Sequence, residues 1–176
     1  MKKSIAIAVS IITLLFGANF IQANTSKIKT TTIEDFNSGE LQGVYDAYFT
    51  VKDALIKSDS KLTSAKAKDL LTAISAVKID KLKSNEQTVW KKVMKKLNAD
   101  AKSISATTDL KKQRDTFKSL SKNTYDLMKV LKSEQIVYKQ YCPMADADWL
   151  SKEKAVKNPY YGSSMLTCGN VVETIK

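Results

Sequence analysis

The sequence predicts a mainly α protein: an antiparallel four-helix bundle with a small C-terminal appendage of short β-strands and turns. Three observations lead there. Apolar residues recur at three- and four-residue steps through four successive segments. No glycine or proline falls within residues 44–142, where only short polar junctions break the helical pattern. After Ser133 that period gives way to β-branched and aromatic residues, and both prolines of the chain lie there.

The first helix is expected over residues 39–57. Leu41, Val44, Tyr48, Val51 and Leu55 form one stripe, Tyr45 and Phe49 widen it, and Ser58-Asp59-Ser60 ends it. The second is expected over residues 63–79, capped by Thr63 or Ser64, with Ala67, Leu70, Leu71, Ile74 and Val77 facing inward. The third starts at Ser84, where Ser84-Asn85-Glu86-Gln87 has the spacing of a capping box. Its stripe is Trp90, Val93, Met94, Leu97, Ala101 and Ile104, with Lys91, Lys92, Lys95 and Lys96 largely on the opposite face. The fourth runs from near Thr108-Asp109 to near Lys132 on Leu110, Phe117, Leu120, Thr124, Leu127 and Leu131. Met94 and Met128 fall on these stripes and read as core fillers. Beyond them, Ile136–Tyr141 alternates like a strand, and Trp149-Leu150 and Val171-Val172 are further short strand candidates.

The N-terminus has its own pattern. Met1-Lys2-Lys3 is basic, Ser4–Ile21 is uncharged and apolar, and Ile21-Gln22-Ala23 suits cleavage. This predicts a secretory signal peptide over 1–23, a flexible Thr/Ser/Asn-rich leader over 24–38, and a single domain over 39–176. The domain ends in a Cys/Met-bearing unit, residues 134–176. After cleavage no stable membrane span is expected, and the alternative is an uncleaved anchor over Ser4–Ser26.

The 176-residue chain carries 29 basic and 18 acidic residues, a formal charge of +11, and Arg114 is its single arginine. Nucleic-acid readers favour arginine for bidentate contacts, so scattered lysines and an export signal argue against a nucleic-acid partner. Arg114 reads as structural, a planar fork for a carboxylate between helices or for carbonyls of the tail. Histidine is absent. That removes the commonest general base, the usual nucleophile pairs and every imidazole metal site, so the chain is expected not to be an enzyme.

The chemistry sits in the last third. The two cysteines each neighbour a methionine, as Cys142-x-Met144 and Met165-x-x-Cys168. Thiolate and thioether are soft ligands suited to monovalent copper or silver. Exported cysteine pairs also commonly form disulfides, and the residues alone leave both readings open. Trp149, Tyr160 and Tyr161 read as wedges that seat the tail on the bundle, or as a cover for a metal. Asp146, Asp148 and Glu153 read as a solvated loop.

A longer set of motifs carries a resemblance. Gln113-Arg114-x-x-Phe117-x-x-Leu120-Ser121 is followed by Tyr141-Cys142-Pro143-Met144, then Trp149-Leu150-Ser151. Asn158-Pro159-Tyr160-Tyr161-Gly162 and Met165-x-x-Cys168-Gly169 complete the series. From about Val44 to Ile175 the chain resembles domain-of-unknown-function family 3347. Members are exported helical domains found beside heavy-metal resistance proteins or fused to the adaptor of copper and silver efflux pumps. In related small heavy-metal-binding domains a histidine commonly follows the Cys-Pro-Met, where this chain has Ala145. The resemblance implies copper handling in the periplasm, with Cu(I) as ligand, Cys142, Met144, Met165 and Cys168 as the metal set, and an efflux adaptor or other envelope protein as partner. The competing expectation is a non-catalytic interaction module clamped by a Cys142–Cys168 disulfide.

Overall fold

The computed structural model describes residues 39–130 and 135–176. The expected signal peptide and leader, and Leu131 to Lys132 at the expected end of the fourth helix, lie outside the described residues. Within them the chain forms α1 (Gln42–Ile56), α2 (Ser60–Ala76), α3 (Ser84–Ser105) and α4 (Leu110–Met128). These are followed by β1 (Val137–Cys142), β2 (Ala147–Ser151) and β3 (Asn170–Ile175), with 3-10 turns at Ile79–Lys81 and Gly162–Met165. Fold class and strand positions agree with the sequence reading. Each helix packs on the next, and the sheet docks on α4 through β2.

The helices form where their apolar stripes can be buried, and local chemistry sets their ends. The α1 chain reverses at Ser58, which takes a left-handed φ of 56°. The N–H of Asp59 then reaches back to the carbonyl of Ala54, and that of Ser58 to Leu55, closing a Schellman-type end. Asp59 turns outward at once to cap α2, accepting from the N–H of Leu62 at 2.8 Å. So α2 begins three residues before the expected Thr63, and neither Thr63 nor Ser64 is its cap. Thr63 lies buried in the first turn, and the Ser64 hydroxyl donates to the carbonyl of Ser105 at the end of α3. At α3 the cap position is Lys83, one residue before the expected Ser84. Glu86 accepts from the Lys83 N–H at 2.8 Å, the carboxylate half of a capping box. A lysine side chain has no acceptor to return the bond. Asp109 caps α4 by accepting from the N–H groups of Lys111 and Lys112. The helix stops at Met128, short of the expected Lys132, as Lys129 and Val130 turn back on the carbonyls of Tyr125 and Leu127.

Two adjacent residues on α4 fasten the junctions. Gln113 is fully buried, and its amide donates to the carbonyls of Ser60 and Thr107 at 2.9 and 2.7 Å. It thereby ties the start of α2 to the α3–α4 turn. Arg114 donates to the carbonyl of Pro159 at 3.0 Å and to Ser58 Oγ at 2.9 Å. Of the two roles anticipated for this arginine, the one seen is the fork on tail carbonyls. Gly162 permits the approach: its φ is +58°, and a Cβ there would stand 2.8 Å from the Arg114 guanidinium.

The sheet is antiparallel in the order β2-β1-β3. Register shifts between Lys139 and Gln140, so the strand does not alternate simply. Gln140 is carried inward to full burial, where its amide donates to the carbonyls of Glu153, Lys154 and Ala155.

Aromatic rings join bundle to sheet. Tyr48 stacks on Phe117 at 5.3 Å, Phe117 meets Tyr160 at 5.9 Å, and Tyr160 meets Trp149 edge-on at 5.9 Å. The Tyr48 hydroxyl accepts the N–H of Leu150 at 3.0 Å and is shared with Ser121 Oγ at 2.6 Å. One phenol from α1 thus bonds both α4 and β2, at full burial. Tyr48→Phe keeps the ring but leaves the Leu150 N–H without its acceptor, and is expected to destabilise the fold by about 1–3 kcal/mol. Urea unfolding followed by far-ultraviolet dichroism and tryptophan fluorescence checks this, and an unchanged midpoint would mean that the hydroxyl does not hold the tail.

Candidate functional site

Cys142 closes β1, and its register partner Ala147 opens β2. The connecting turn is Pro143 to Asp146, where Asp146 takes a φ of 45° and returns its N–H to the Pro143 carbonyl. On the other side of β1, Tyr141 pairs with Asn170 at the start of β3. That pairing brings Gly169 and Cys168 alongside the end of β1. Gly169 has φ +132°, and a Cβ there would stand 2.6 Å from the Tyr141 carbonyl and 2.9 Å from the Trp149 ring. Only a glycine lets the chain pass this close. As a result the two sulfurs lie 3.2 Å apart, near but not bonded.

The pair is asymmetric. Cys142 is wholly buried and Cys168 half-buried. Burial opposes ionisation of Cys142, but the Cys168 thiol, the Ala145 N–H, the Asn158 side chain and the Met144 N–H all interact with its sulfur. Together they outweigh burial and hold its pKa below the ordinary thiol value. Cys168 moves the other way, because it gives its hydrogen bond to Cys142, is partly desolvated and feels the neighbouring negative charge. In the reduced pair the thiolate form is therefore favoured more at Cys142 than at Cys168.

The frame around the sulfurs is fixed from several elements. Lys118 of α4 donates to the Ala145 carbonyl at 2.6 Å, and the Tyr161 hydroxyl donates to the Met144 carbonyl at 3.0 Å. Asn158, fully buried, donates to the Cys168 carbonyl at 2.8 Å and accepts from the Tyr160 N–H. Of the four sulfur residues expected from sequence, the structure brings Cys142 and Cys168 together. The Met144 side chain stands 63% exposed and that of Met165 37%. Trp149 has no exposed surface and packs into the seam, as its wedge reading anticipates. The tail carboxylates do not gather: Asp146 accepts from Tyr141, Asp148 pairs with Lys139, and Glu153 with Lys157. Among the described residues no group of three or more His, Cys, Asp or Glu stands together. A groove of about 450 Å³ between α4 and the sheet, and one of about 310 Å³ beside Met144, flank the turn without including either cysteine.

Sequence reading missed Lys118, one lysine among many, and gave no role to Asn158 or Gly169 beyond their place in a motif. No helix of the described residues is long and apolar enough to cross a membrane.

A thiolate titration of the reduced protein is expected to show two steps, Cys142 ionising below the ordinary thiol value and Cys168 above it. Gly169→Ala should push β3 off Tyr141 and draw both steps back towards that value. Two coincident steps in the parent protein would mean that the sulfurs do not share a proton in solution.

Comparison with known proteins gives one match. A family model described as Protein of unknown function (DUF3347) matches residues 44–135, just over half of the chain. The matched stretch runs from Val44 within α1 through the rest of the four helices, with Gln113, Arg114 and Lys118, and ends before β1 and the cysteines. No curated protein and no solved structure matches the chain.

Proposed function

The chain belongs to the DUF3347 family, and from that premise and its thiol pair we propose an exported, non-catalytic protein of the periplasm that holds a monovalent soft cation, Cu(I) or Ag(I). One observation carries this reading: two unbonded thiols 3.2 Å apart, with backbone N–H groups of the Cys-Pro-Met-Ala turn directed at the more buried sulfur. Such N–H donors stabilise a thiolate without neutralising it, which is what a thiolate ligand needs. The donors at this point are sulfur, and sulfur prefers soft monovalent ions to hard cations.

In this reading Cys142 and Cys168 are the anchoring thiolates. Met144 and Met165, at the surface on either side in sequence, supply thioethers that exchange easily. A weakly held thioether suits an ion that must be handed on. The receiving partner is an envelope protein of the efflux-adaptor kind that the family resemblance implies. The lack of histidine supports a carrier more than a catalyst.

The same 3.2 Å separation also favours a second reading, a structural disulfide clamping an interaction module. Anaerobic titration of the reduced protein with Cu(I) against a competing chelator separates the two. One tight equivalent is expected. Cys142→Ser should lower affinity on the order of 100-fold or more and Met144→Leu about 10-fold or less. Undiminished affinity in the Cys142→Ser protein would remove the metal assignment and leave the clamp.

A further inference from the structure

The two cysteines differ in exposure. Cys142 has no exposed surface, and the turn over it is pinned by the Lys118 and Tyr161 bonds to the Ala145 and Met144 carbonyls. Cys168 is half-buried, just past the 3-10 turn Gly162–Met165, beside Met165 and Leu166, which are 37% and 38% exposed. Cys168 is the member of the pair with exposed surface, and the wholly buried Cys142 stands within contact distance of it.

We propose that Cys142 and Cys168 form a directional thiol–disulfide exchange centre, in which Cys168 meets an external low-molecular-weight disulfide and Cys142 resolves the product. In the first step the Cys168 thiolate attacks one sulfur of R–S–S–R. The Cys168–S bond forms, the S–S bond breaks, and R–S⁻ leaves and takes up the proton that Cys168 lost. In the second step the Cys142 thiolate attacks Cys168 Sγ. The Cys142–Cys168 bond forms, the bond from Cys168 to the S–R group breaks, and the second R–S⁻ leaves and takes up the proton that Cys142 lost on becoming a thiolate. Two electrons pass from the protein thiols to the disulfide, one R–SH is released at each step, and nothing else is consumed. The close sulfurs make the second step intramolecular and fast relative to release of a mixed disulfide. Asn158, by fixing the Cys168 carbonyl, keeps the target sulfur in place for it.

The inference rests on geometry and access, not on metal loading. It adds to the proposed function that a thiolate pair would be present only in the reduced state, so oxidation would discharge the site.

Glutathione disulfide is the probe, added to the reduced, metal-free full chain, with acid quenching, alkylation and peptide mass spectrometry. The parent protein should pass through a mixed disulfide on Cys168 to the intramolecular disulfide. Cys142→Ser should accumulate the mixed disulfide on Cys168. Cys168→Ser should be modified on Cys142 at least about 10-fold more slowly. Equal modification of the two single variants, or a mixed disulfide in the parent protein that persists or sits on Cys142, overturns the proposal. The parent time course tests it even where a variant fails to fold. Because no metal is present, the outcome is independent of the Cu(I) titration.

Discussion

Tyr48 stands where three parts of the molecule meet. Its ring lies on Phe117 of α4, its oxygen takes the N–H of Leu150 in β2, and it shares a hydrogen bond with Ser121. A buried phenol costs free energy unless its hydroxyl is satisfied, and here both bonds go across element boundaries. The strand cannot leave the bundle without taking the Leu150 N–H from its acceptor and leaving the hydroxyl only its bond to Ser121. The ring contacts continue through Tyr160 to Trp149, so the same packing that seats β2 also seats the residue against which Gly169 passes. The position of the second thiol is in this way a consequence of how α1 and α4 grip the sheet.

At the thiols two opposed effects meet, and their balance sets the chemistry. Full burial alone would keep Cys142 protonated. The reversed turn after Pro143 turns the Met144 and Ala145 N–H groups to the sulfur, and Asn158 and Cys168 complete its partners. Hydrogen bonds to the charged form win over desolvation, and the cost appears on Cys168, which holds its proton more firmly. The residue that is wholly enclosed carries the thiol that ionises more easily, and the more exposed residue carries the one that ionises less easily. That difference is the premise of both proposed roles, the soft ligand and the exchange centre.

Much of the fold was legible because helical burial is periodic. Val44, Tyr48, Val51 and Leu55, or Trp90, Val93, Leu97, Ala101 and Ile104, announce their inward faces without any tertiary knowledge, and all are buried. The start of α2 was not legible, since Ser58, Asp59, Ser60, Thr63 and Ser64 are all able to cap a helix. Tertiary bonds decide among them: Arg114 holds Ser58, and Ser64 is taken by the Ser105 carbonyl. The bulge at Lys139 and Gln140 was equally hidden, because its reason is a set of carbonyls at Glu153, Lys154 and Ala155 that the amide of Gln140 satisfies. At the site the cysteines stood out by rarity. Their contact depends on the pairing of Tyr141 with Asn170, which no local spacing encodes.

The family match ends before the cysteines, yet it covers two residues of α4 that hold their loops. Lys118 and Arg114 lie one turn apart on α4, the first on the Ala145 carbonyl and the second on the Pro159 carbonyl. Each charged side chain satisfies a carbonyl in a segment with no regular partner, and each such bond is stronger than one between neutral groups. Both tail loops that flank the thiols are thus anchored to one face of one helix. The helical bundle is thereby the frame on which the sulfur-bearing turn is held. Its contribution is rigidity, which a pair of sulfurs requires to remain at contact distance while differing in exposure. Helices and tail then divide in structure: α4 fixes where the loops lie, and the turn after Cys142 brings the N–H groups that favour its thiolate.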